Sequence, residues 1–234
     1  MRIIEPAELQ QMPLEEVPRH VALIMDGNRR WAFARGIPAE EAHLHTAGAL
    51  ILTLHEAHRL KVSHLTFFCL SSENLNRPAG QVASLVKLGR WLFTDLVMET
   101  LRELSIRVET TGDMLDERLE VPPELLTDEF AGHPASLTVT FAINYSSRQE
   151  IEAATLKPFD ELQPGLAARM PNGHHPDVDL VIRTSGEQRL SNFMLWQSAF
   201  AELVFTDTLW PDFTGLHLSS AIAEYNSRRR RLGV

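Results

Sequence analysis

The 234-residue sequence predicts an α/β fold, with a mostly parallel central sheet and helices on both faces. Short, nearly continuous apolar runs such as His20–Met25 are typical of strands buried on both faces of a parallel sheet. A segment with apolar residues at helical spacing, Ala47–Leu60, separates that run from the next one, Leu65–Leu70. The same alternation continues along the chain, and this order is the one that builds parallel sheets.

The elements follow in order from these two patterns. The first strand, His20–Met25, ends at Asp26-Gly27-Asn28, and the helix Ala47–Leu60 with the strand Leu65–Leu70 completes a βαβ unit. The later elements are a loop at Ser71–Gly80, a helix at Gln81–Leu104, strands at Ile106–Thr110, Leu137–Ile143 and Asp179–Arg183, and a last helix at about Leu216–Leu232. Residues 157–178, which are rich in proline and glycine, predict a linker region.

Length and composition predict one domain, residues 20–234, after an N-terminal arm at residues 1–19. A net charge of −9 argues against a protein that binds nucleic acid or an anionic membrane by electrostatics. The single cysteine, Cys69, excludes an intrachain disulfide and a cysteine-based zinc site. No apolar stretch approaches ~18 residues, so we expect a cytoplasmic chain without a membrane span.

Polar residues follow the first predicted strand, where ligands of a parallel sheet collect. Asp26-Gly27-Asn28-Arg29-Arg30 combines a glycine turn, a helix N-terminus and two guanidinium groups, which suits a diphosphate. Asp26 would hold a Mg²⁺ that bridges phosphate oxygens. The alternative is a simple strand-to-helix turn in which Asp26 caps the helix.

A second candidate anion site follows the last predicted strand. The segment Arg183–Ser191 carries two arginines and three hydroxyl groups, and two anion sites imply two substrates. The alternative is a solvated polar loop. Ser71–Arg77 is a third polar strand end and is a weak signal by itself. Four other histidines, His45, His55, His58 and His64, indicate helix-surface positions rather than a metal site, because no carboxylate clusters with them at ligand spacing.

Five segments together resemble the signature blocks of the cis-prenyltransferases, the undecaprenyl diphosphate synthase family. They are His20–Ala32, Ser71–Asn74 with Arg77-Pro78, Asn144-Tyr145 with Arg148 and Glu150-Ile151, Asp179–Phe193, and Ala201–Leu203 with Leu209–Phe213. The resemblance implies a homodimeric fold with an apolar tunnel. It also implies a Mg²⁺-dependent condensation of isopentenyl diphosphate with an allylic diphosphate into a Z-configured product, with peripheral membrane contact only through that product.

The resemblance also implies roles for individual residues. The catalytic residues are Asp26, Asn28 and Asn74, and the metal ligands are Asp26 and Glu202. The allylic diphosphate is held by Gly27, Asn28, Arg29, Arg30, His43, Ser71 and Arg77, and isopentenyl diphosphate by Arg183, Arg189 and Ser191. The acceptor of the proton stays open between the released diphosphate, Asn28 and Asn74.

The tunnel residues implied are Leu85, Leu88, Leu92, Phe93 and Phe141. Bulky side chains at Trp91, Leu92, Phe93 and Phe141 predict products of about two to four isoprene units (C10–C20), since a filled path stops chain growth. The alternative is that these side chains belong to ordinary core.

The chain departs from the family pattern at Arg29, Ala39, Ala42, Thr46 and Ser146-Ser147, and residues 151–179 are short for a long-chain enzyme. These departures leave two alternatives. One is an irregular, lavandulyl-type head-to-middle coupling of two dimethylallyl diphosphates. The other is a non-catalytic partner subunit, against which the presence of Asp26 argues.

Overall fold

The computed structural model describes residues 16–38, 41–76, 82, 92–119, 121–126, 135–158, 165–171 and 173–228. Within these residues six strands form one sheet: β1 His20–Ile24, β2 His64–Phe68, β3 Arg107–Thr111, β4 Thr138–Ala142, β5 Leu180–Arg183 and β6 Glu202–Phe205. Their order across the sheet is β3-β4-β2-β1-β5-β6, and every neighbouring pair is parallel. The predicted α/β class is confirmed.

Seven α-helices connect or flank the strands in the described residues. They are α1 Asn28–Ala34, α2 Ala42–Leu60, α3 Ser72–Leu75, α4 Asp95–Glu103, α5 Ser147–Leu156, α6 Leu166–Arg169 and α7 Gly215–Ser227. Two 3₁₀ turns lie at Pro123–Leu126 and Trp210–Asp212. None of the helices in the described part is long and apolar enough to cross a membrane.

The sheet separates two apolar layers because successive side chains of a strand point to opposite faces. On β1, Val21 and Leu23 join the larger core cluster, which also contains residues of α2, α4 and α7. Ala22 and Ile24 join a smaller cluster with Phe193 on the other face. A strand buried on both faces must be apolar throughout, and this explains the unbroken run in the sequence.

The predicted helix Gln81–Leu104 is wrong in its continuity. Residues 77–81 and 83–91 lie outside the described part, but the chain leaves helical geometry at Thr94, whose ψ is 159°. The Thr94 hydroxyl accepts a hydrogen bond from the Val97 N–H, so it caps a new helix, α4. The apolar spacing of the stretch did not reveal this break.

The predicted last helix is also too long. It ends at Ser227, and Arg228 is extended, with ψ 135°. The Arg228 guanidinium donates to Glu202 and Glu224, which draws the chain back onto β6. The segment predicted as a linker, 157–178, contains the short helix α6. The arm at residues 1–15 lies outside the described residues, so its boundary stays a prediction.

Candidate active site

The carboxyl ends of β1 and β5 are joined by hydrogen bonds that shape the site. The Asp26 N–H donates to the Thr184 hydroxyl oxygen at 2.9 Å, and that hydroxyl donates to the Asp26 carbonyl at 2.6 Å. The Asp26 carbonyl also accepts from the Trp210 N–H at 3.0 Å. These contacts hold the chain after β1 in one position before it enters α1.

Gly27 makes the turn into α1 with φ 105°, in the left-handed region that favours glycine. A Cβ at this position would lie 2.9 Å from Leu209 Cδ2 and 3.0 Å from Ser185 Cβ. Asp26 Oδ1 accepts from the Gly27 N–H at 2.7 Å. Both backbone freedom and lack of a side chain are therefore required here.

Asp26 and Arg183 form the ion pair at the centre of the site. Arg183 Nη2 donates to Asp26 Oδ2 at 2.9 Å, while Nη1 donates to the Arg189 carbonyl at 2.6 Å and to Ser191 Oγ at 2.8 Å. The Arg183 side chain is only 5% exposed, whereas that of Asp26 is 33% exposed. In this pair the Asp26 carboxylate is partly exposed to the cavity, whereas the Arg183 guanidinium is buried.

Glu187 links the two more exposed arginines. Arg30 donates to the Ser185 carbonyl at 3.0 Å and to Ser185 Oγ at 2.7 Å, and its Nη2 lies 3.3 Å from Glu187 Oε1. Arg189 donates to Glu187 Oε2. The side chains of Arg30 and Arg189 are 51% and 59% exposed. One carboxylate thus balances two cations that the sequence assigns to different substrates.

The amide side chains are held in fixed orientations. Asn28 Nδ2 donates to the Met25 carbonyl at 3.1 Å, and Asn28 Oδ1 accepts from the Thr46 hydroxyl at 2.7 Å. Thr46 therefore orients the Asn28 amide. Asn74 donates to Ser71 Oγ at 2.7 Å, at the start of α3.

Asn192 connects the loops that follow β2, β4 and β5. Its amide donates to Glu73 Oε1 at 2.5 Å and to Ser146 Oγ at 2.7 Å. Burial raises the pKa of Glu73, but the hydrogen bonds that it accepts from Asn192 and other groups leave its pKa below the ordinary value. Asn192 has φ 62° and Ser191 φ 51°, so this loop holds an unfavourable backbone geometry to place its donors.

A cavity of about 840 Å³ opens between these strand ends. Its lining residues are Ile24, Met25, Asp26, Gly27, Asn28, Arg29, Arg30, Phe68, Cys69, Leu70, Ser71, Glu73, Asn74, Arg183, Glu187, Arg189, Ser191 and Asn192. Charged groups occupy one part of the wall, while Ile24, Phe68 and Leu70 provide an apolar part. Burial raises the pKa of the Cys69 thiol, which therefore stays protonated and is not a nucleophile.

Most of the predicted site residues meet in this cavity. Those that line it are Asp26, Gly27, Asn28, Arg29, Arg30, Ser71, Asn74, Arg183, Arg189 and Ser191. Arg77, Leu85, Leu88 and the side chain of His43 lie outside the described residues. Leu92, Phe93 and Phe141 are buried in the larger core cluster and are not among the residues lining the cavity.

The structure does not bring Glu202 to Asp26 within one chain. Glu202 begins β6 and lies level with Leu180, which is paired with Val21 on β1. At about 3.3 Å per residue, Asp26 is roughly 16 Å farther along the strand direction. The Glu202 carboxylate instead accepts from Arg228 at 2.8 Å. The predicted metal pair is thus separated by the length of the sheet.

Sequence reasoning did not single out Glu73, Glu187 or Asn192. Glu187 stands between Arg183 and Arg189, so the alternation of charge was a usable signal. For Asn192 there was no signal, because its partners are 119 and 46 positions away in the chain.

Known proteins share both the sequence and the fold. A family model described as "Putative undecaprenyl diphosphate synthase" matches residues 24–233. Isoprenyl transferase 2 of Bradyrhizobium diazoefficiens is 41% identical over 234 residues, which cover 93% of this chain and 91% of that protein. A trans,polycis-polyprenyl diphosphate synthase of Thermobifida fusca, described as (2Z,6E)-farnesyl diphosphate specific, is 40% identical, with 95% and 83% covered.

Two solved structures are also similar. Lavandulyl diphosphate synthase from Lavandula x intermedia, in complex with dimethylallyl diphosphate, has a TM-score of 0.75 and 31% identity, and the match covers 93% of this chain and 98% of that one. A probable undecaprenyl diphosphate synthase from Campylobacter jejuni has a TM-score of 0.72 and 28% identity, with 94% and 100% covered.

The turn at Gly27 can be tested against a matched glycine. Gly36 also has a positive φ, 64°, but no atom lies within 4 Å of a Cβ built on it. We expect Gly36→Ala to lower the free energy of unfolding by about 1 kcal/mol and Gly27→Ala by about 2–4 kcal/mol, because only the second adds steric overlap. Urea denaturation of both variants measures the difference. Equal losses would contradict the close approach of Leu209 and Ser185.

Proposed function

The chain belongs to the undecaprenyl diphosphate synthase family and is a prenyltransferase, and on that basis we propose that it condenses isopentenyl diphosphate with an allylic diphosphate into a Z-configured prenyl diphosphate. The observation that carries this proposal is the cavity in which Asp26, Arg30, Arg183 and Arg189 meet beside an apolar wall. Two diphosphates need several cations, and their hydrocarbon parts need a dry surface.

The three arginines differ in burial, and this difference suggests different roles in binding. Arg183 is fixed by Asp26, Ser191 and a backbone carbonyl, so it presents a rigid positive charge behind the site. Arg30 and Arg189 are half exposed and both lie against Glu187, while Arg30 Nη2 is also 3.9 Å from Asp26 Oδ1, so a diphosphate can replace the Glu187 carboxylate. We assign Arg30 to the allylic diphosphate, and Arg183 and Arg189 with Ser191 to isopentenyl diphosphate.

The donor set of the cavity fits Mg²⁺. The ion prefers oxygen ligands and is commonly held by one or two carboxylates together with substrate phosphates. Asp26 is the carboxylate that would hold it, since part of its side chain faces the cavity beside the arginines. When bound, Mg²⁺ supplies positive charge that stabilises the departing diphosphate.

During the reaction the site residues bind and orient the two substrates and exclude water from the carbocation. The allylic C–O bond breaks as its diphosphate leaves, and the positive charge of Arg30 stabilises the leaving group. The double bond of isopentenyl diphosphate then attacks the allylic carbon, and loss of a proton forms the new double bond. Ile24, Phe68 and Leu70 shield the carbocation from water.

The released diphosphate is the base that we assign to the last proton. Both ends of the Asn28 amide are engaged, by the Met25 carbonyl and the Thr46 hydroxyl, and this fixes Asn28 as an orienting group. An amide is also a far weaker base than a phosphate, whose second pKa is about 6. Asn74, whose amide donates to Ser71 Oγ, is an equally weak base.

We assign short products, of about two to four isoprene units, to this enzyme. Phe93 meets Phe141 edge-on at 4.8 Å between ring centroids, and Phe67 stacks on Phe141 at 5.8 Å. Phe67 in turn meets Trp210 at 6.2 Å. These packed rings occupy part of the larger core in the described residues, and on this basis we infer that a long chain has little room there.

A second candidate reaction is the head-to-middle coupling of two dimethylallyl diphosphates. It is favoured by the similarity to lavandulyl diphosphate synthase over 93% of the chain. The intact set of Arg183, Arg189 and Ser191 favours the regular reaction, because it suits a second, isopentenyl diphosphate site.

The active form that we assign is a cytoplasmic homodimer. Trp196 and Phe200 are 44% and 69% exposed and lie four positions apart in the chain, and we assign them to the contact between the subunits.

The role of Asp26 is tested by Asp26→Asn. The substitution keeps the size of the side chain and removes its charge, so we expect kcat to fall by about 10³-fold or more, which corresponds to about 4 kcal/mol. Chelation of the wild-type enzyme should have the same effect, and added Mg²⁺ should rescue only the wild type. Asp95→Asn, on the exposed start of α4, is the control and should keep full activity. Near-normal kcat of Asp26→Asn at saturating Mg²⁺ would refute the assignment.

The division of the two substrate sites is tested by Arg189→Ala and Arg30→Ala. A charge-assisted contact contributes about 1.5–3 kcal/mol, so we expect Arg189→Ala to raise KM for isopentenyl diphosphate about 10–100-fold and to change KM for the allylic substrate little. Arg30→Ala should show the reverse pattern. Arg59→Ala, which removes a surface pair with Glu56, is the control. Equal effects of each variant on both substrates would show that the division is wrong.

Product length is tested with the purified protein, Mg²⁺ and isopentenyl diphosphate. Dimethylallyl, geranyl and farnesyl diphosphate are supplied in turn, and the dephosphorylated alcohols are identified by chromatography and mass spectrometry. We expect alcohols of about C10–C20 from the wild type and longer ones from Leu92→Ala and Phe141→Ala, since each opens a cavity in the core. Products of C50–C55 from the wild type would refute the short-chain assignment, and a branched alcohol from dimethylallyl diphosphate alone would show the irregular reaction.

A further inference from the structure

A group of imidazoles and one carboxylate lies on the sheet away from the cavity. His175 Nε2 is 2.7 Å from Glu109 Oε2, and His174 Nε2 is 3.5 Å from the same oxygen. The ligand atoms of the three residues all lie within 4.8 Å of one another. The side chain of His175 is 4% exposed, whereas that of His174 is 64% exposed. A buried and an accessible imidazole therefore converge on one carboxylate.

Two further histidines, His20 and His64, lie next to this group, and they differ in the hydrogen bonds that they make. His20 Nδ1 lies 2.8 Å from the Pro176 carbonyl, which can only accept, so this nitrogen carries the proton. His20 Nε2 then accepts from the Thr66 hydroxyl at 2.8 Å. Both nitrogens are in use, and burial lowers the pKa of His20 to about 4, so His20 is a neutral structural residue.

His64 was expected on a helix surface, but it lies at the start of β2 and has an unused ring nitrogen. Its ring lies 5.0 Å from that of His175, and its buried Nδ1 has no hydrogen-bond partner in the described part of the chain. Burial, followed by the nearby His175, lowers the pKa of His64 to about 4. Because Nδ1 is buried without a partner and the ring lies beside His175, His64 is a potential further ligand beside Glu109, His174 and His175.

We propose that Glu109, His174 and His175 form a binding site for a zinc-type divalent transition metal ion, distinct from the diphosphate site. In a tetrahedral zinc site with ligand distances of about 2.0–2.1 Å, ligand atoms lie about 3.3 Å apart. The present separations from Glu109 Oε2 are 2.7 and 3.5 Å, on either side of that value, so side-chain shifts of about half an ångström are enough to reach it. Two imidazoles with one carboxylate favour Zn²⁺ or Co²⁺ over Mg²⁺, which prefers oxygen ligands alone.

The three residues of the proposed site come from distant parts of the sheet. Glu109 lies on β3, an edge strand, while His174 and His175 precede β5 near the other end of the strand order. A bound metal would therefore link the segment before β5 to the edge strand β3.

The site is well separated from the cavity. Glu109 is paired with Thr140 and, through β4 and β2, lies level with Ala22, four residues before Asp26. Three strand spacings of about 4.8 Å and four residues of about 3.3 Å place it roughly 20 Å from Asp26. We therefore expect metal binding to change stability and to leave prenyl transfer at saturating substrate nearly unchanged.

The test uses tag-free full-length protein that has been treated with a chelator and dialysed. Titration with Co²⁺ should give the visible absorption of a tetrahedral complex at one ion per chain, and Zn²⁺ should bleach it. Calorimetry with Zn²⁺ should give one site, and Zn²⁺ should raise Tm by several degrees, whereas Mg²⁺ should not produce these effects.

The variants His174→Ala and Glu109→Gln should each weaken Zn²⁺ binding at least tenfold. His174 is mostly exposed, so its loss should leave the fold intact by circular dichroism. His64→Ala shows whether this residue is a fourth ligand. A changed cobalt spectrum would mean that His64 binds the metal, and an unchanged spectrum would mean that the protein ligands are Glu109, His174 and His175. His55→Ala, on the exposed face of α2, is the matched control and should bind Zn²⁺ normally.

Absence of a one-to-one Co²⁺ complex, or equal Zn²⁺ affinity of the wild type and His174→Ala, would overturn the proposal. The outcome is independent of the proposed reaction, because binding and Tm are measured without substrate. A chain that fails the prenyl transfer assay and still binds Zn²⁺ through His174 would refute only the proposed function.

Discussion

The ion pair between Asp26 and Arg183 is the contact around which the rest of the site is arranged. It spans 157 positions of the chain, and it joins the carboxyl ends of two neighbouring strands. Its cation is buried and its anion is not. A buried guanidinium must be compensated, so the Asp26 carboxylate, the Ser191 hydroxyl and the Arg189 carbonyl are all constrained in position by Arg183. The loop after β5 and the turn after β1 are therefore fixed together.

That constraint has a consequence for binding. With Asp26 paired to Arg183, the cavity wall carries the positive charge of Arg30 and Arg189. Glu187 lies against both arginines, and Asp26 Oδ1 is 3.9 Å from Arg30. A diphosphate that takes one arginine from Glu187 leaves this carboxylate to the other. The two substrate positions inferred from separate motifs thus share one set of charges, and we expect binding at one to influence the other.

The parallel sheet separates the molecule into two chemical regions. The turns that follow β1, β2 and β5 meet at its carboxyl ends, where hydroxyl and guanidinium groups can bind anions. Nearer the amino ends, His20, His64 and Glu109 project from one face and meet His175. Imidazoles beside a carboxylate suit a borderline cation. The same fold therefore presents opposite binding preferences at its two ends.

The sequence by itself determined the strand runs, the βαβ order and the turns that follow β1, β2 and β5, because each depends on residues close together in the chain. From the parallel order alone, Asp26, Asn74 and Arg183 were expected at one edge, and they line one cavity. Only the tertiary structure decided which groups pair there. The Asp26–Arg183 and Thr46–Asn28 contacts, the separation of Glu202 from Asp26, and the meeting of Glu109 with His174 and His175 all depend on strand register and order. Those quantities are set by packing between distant segments, and local periodicity carries no information about them.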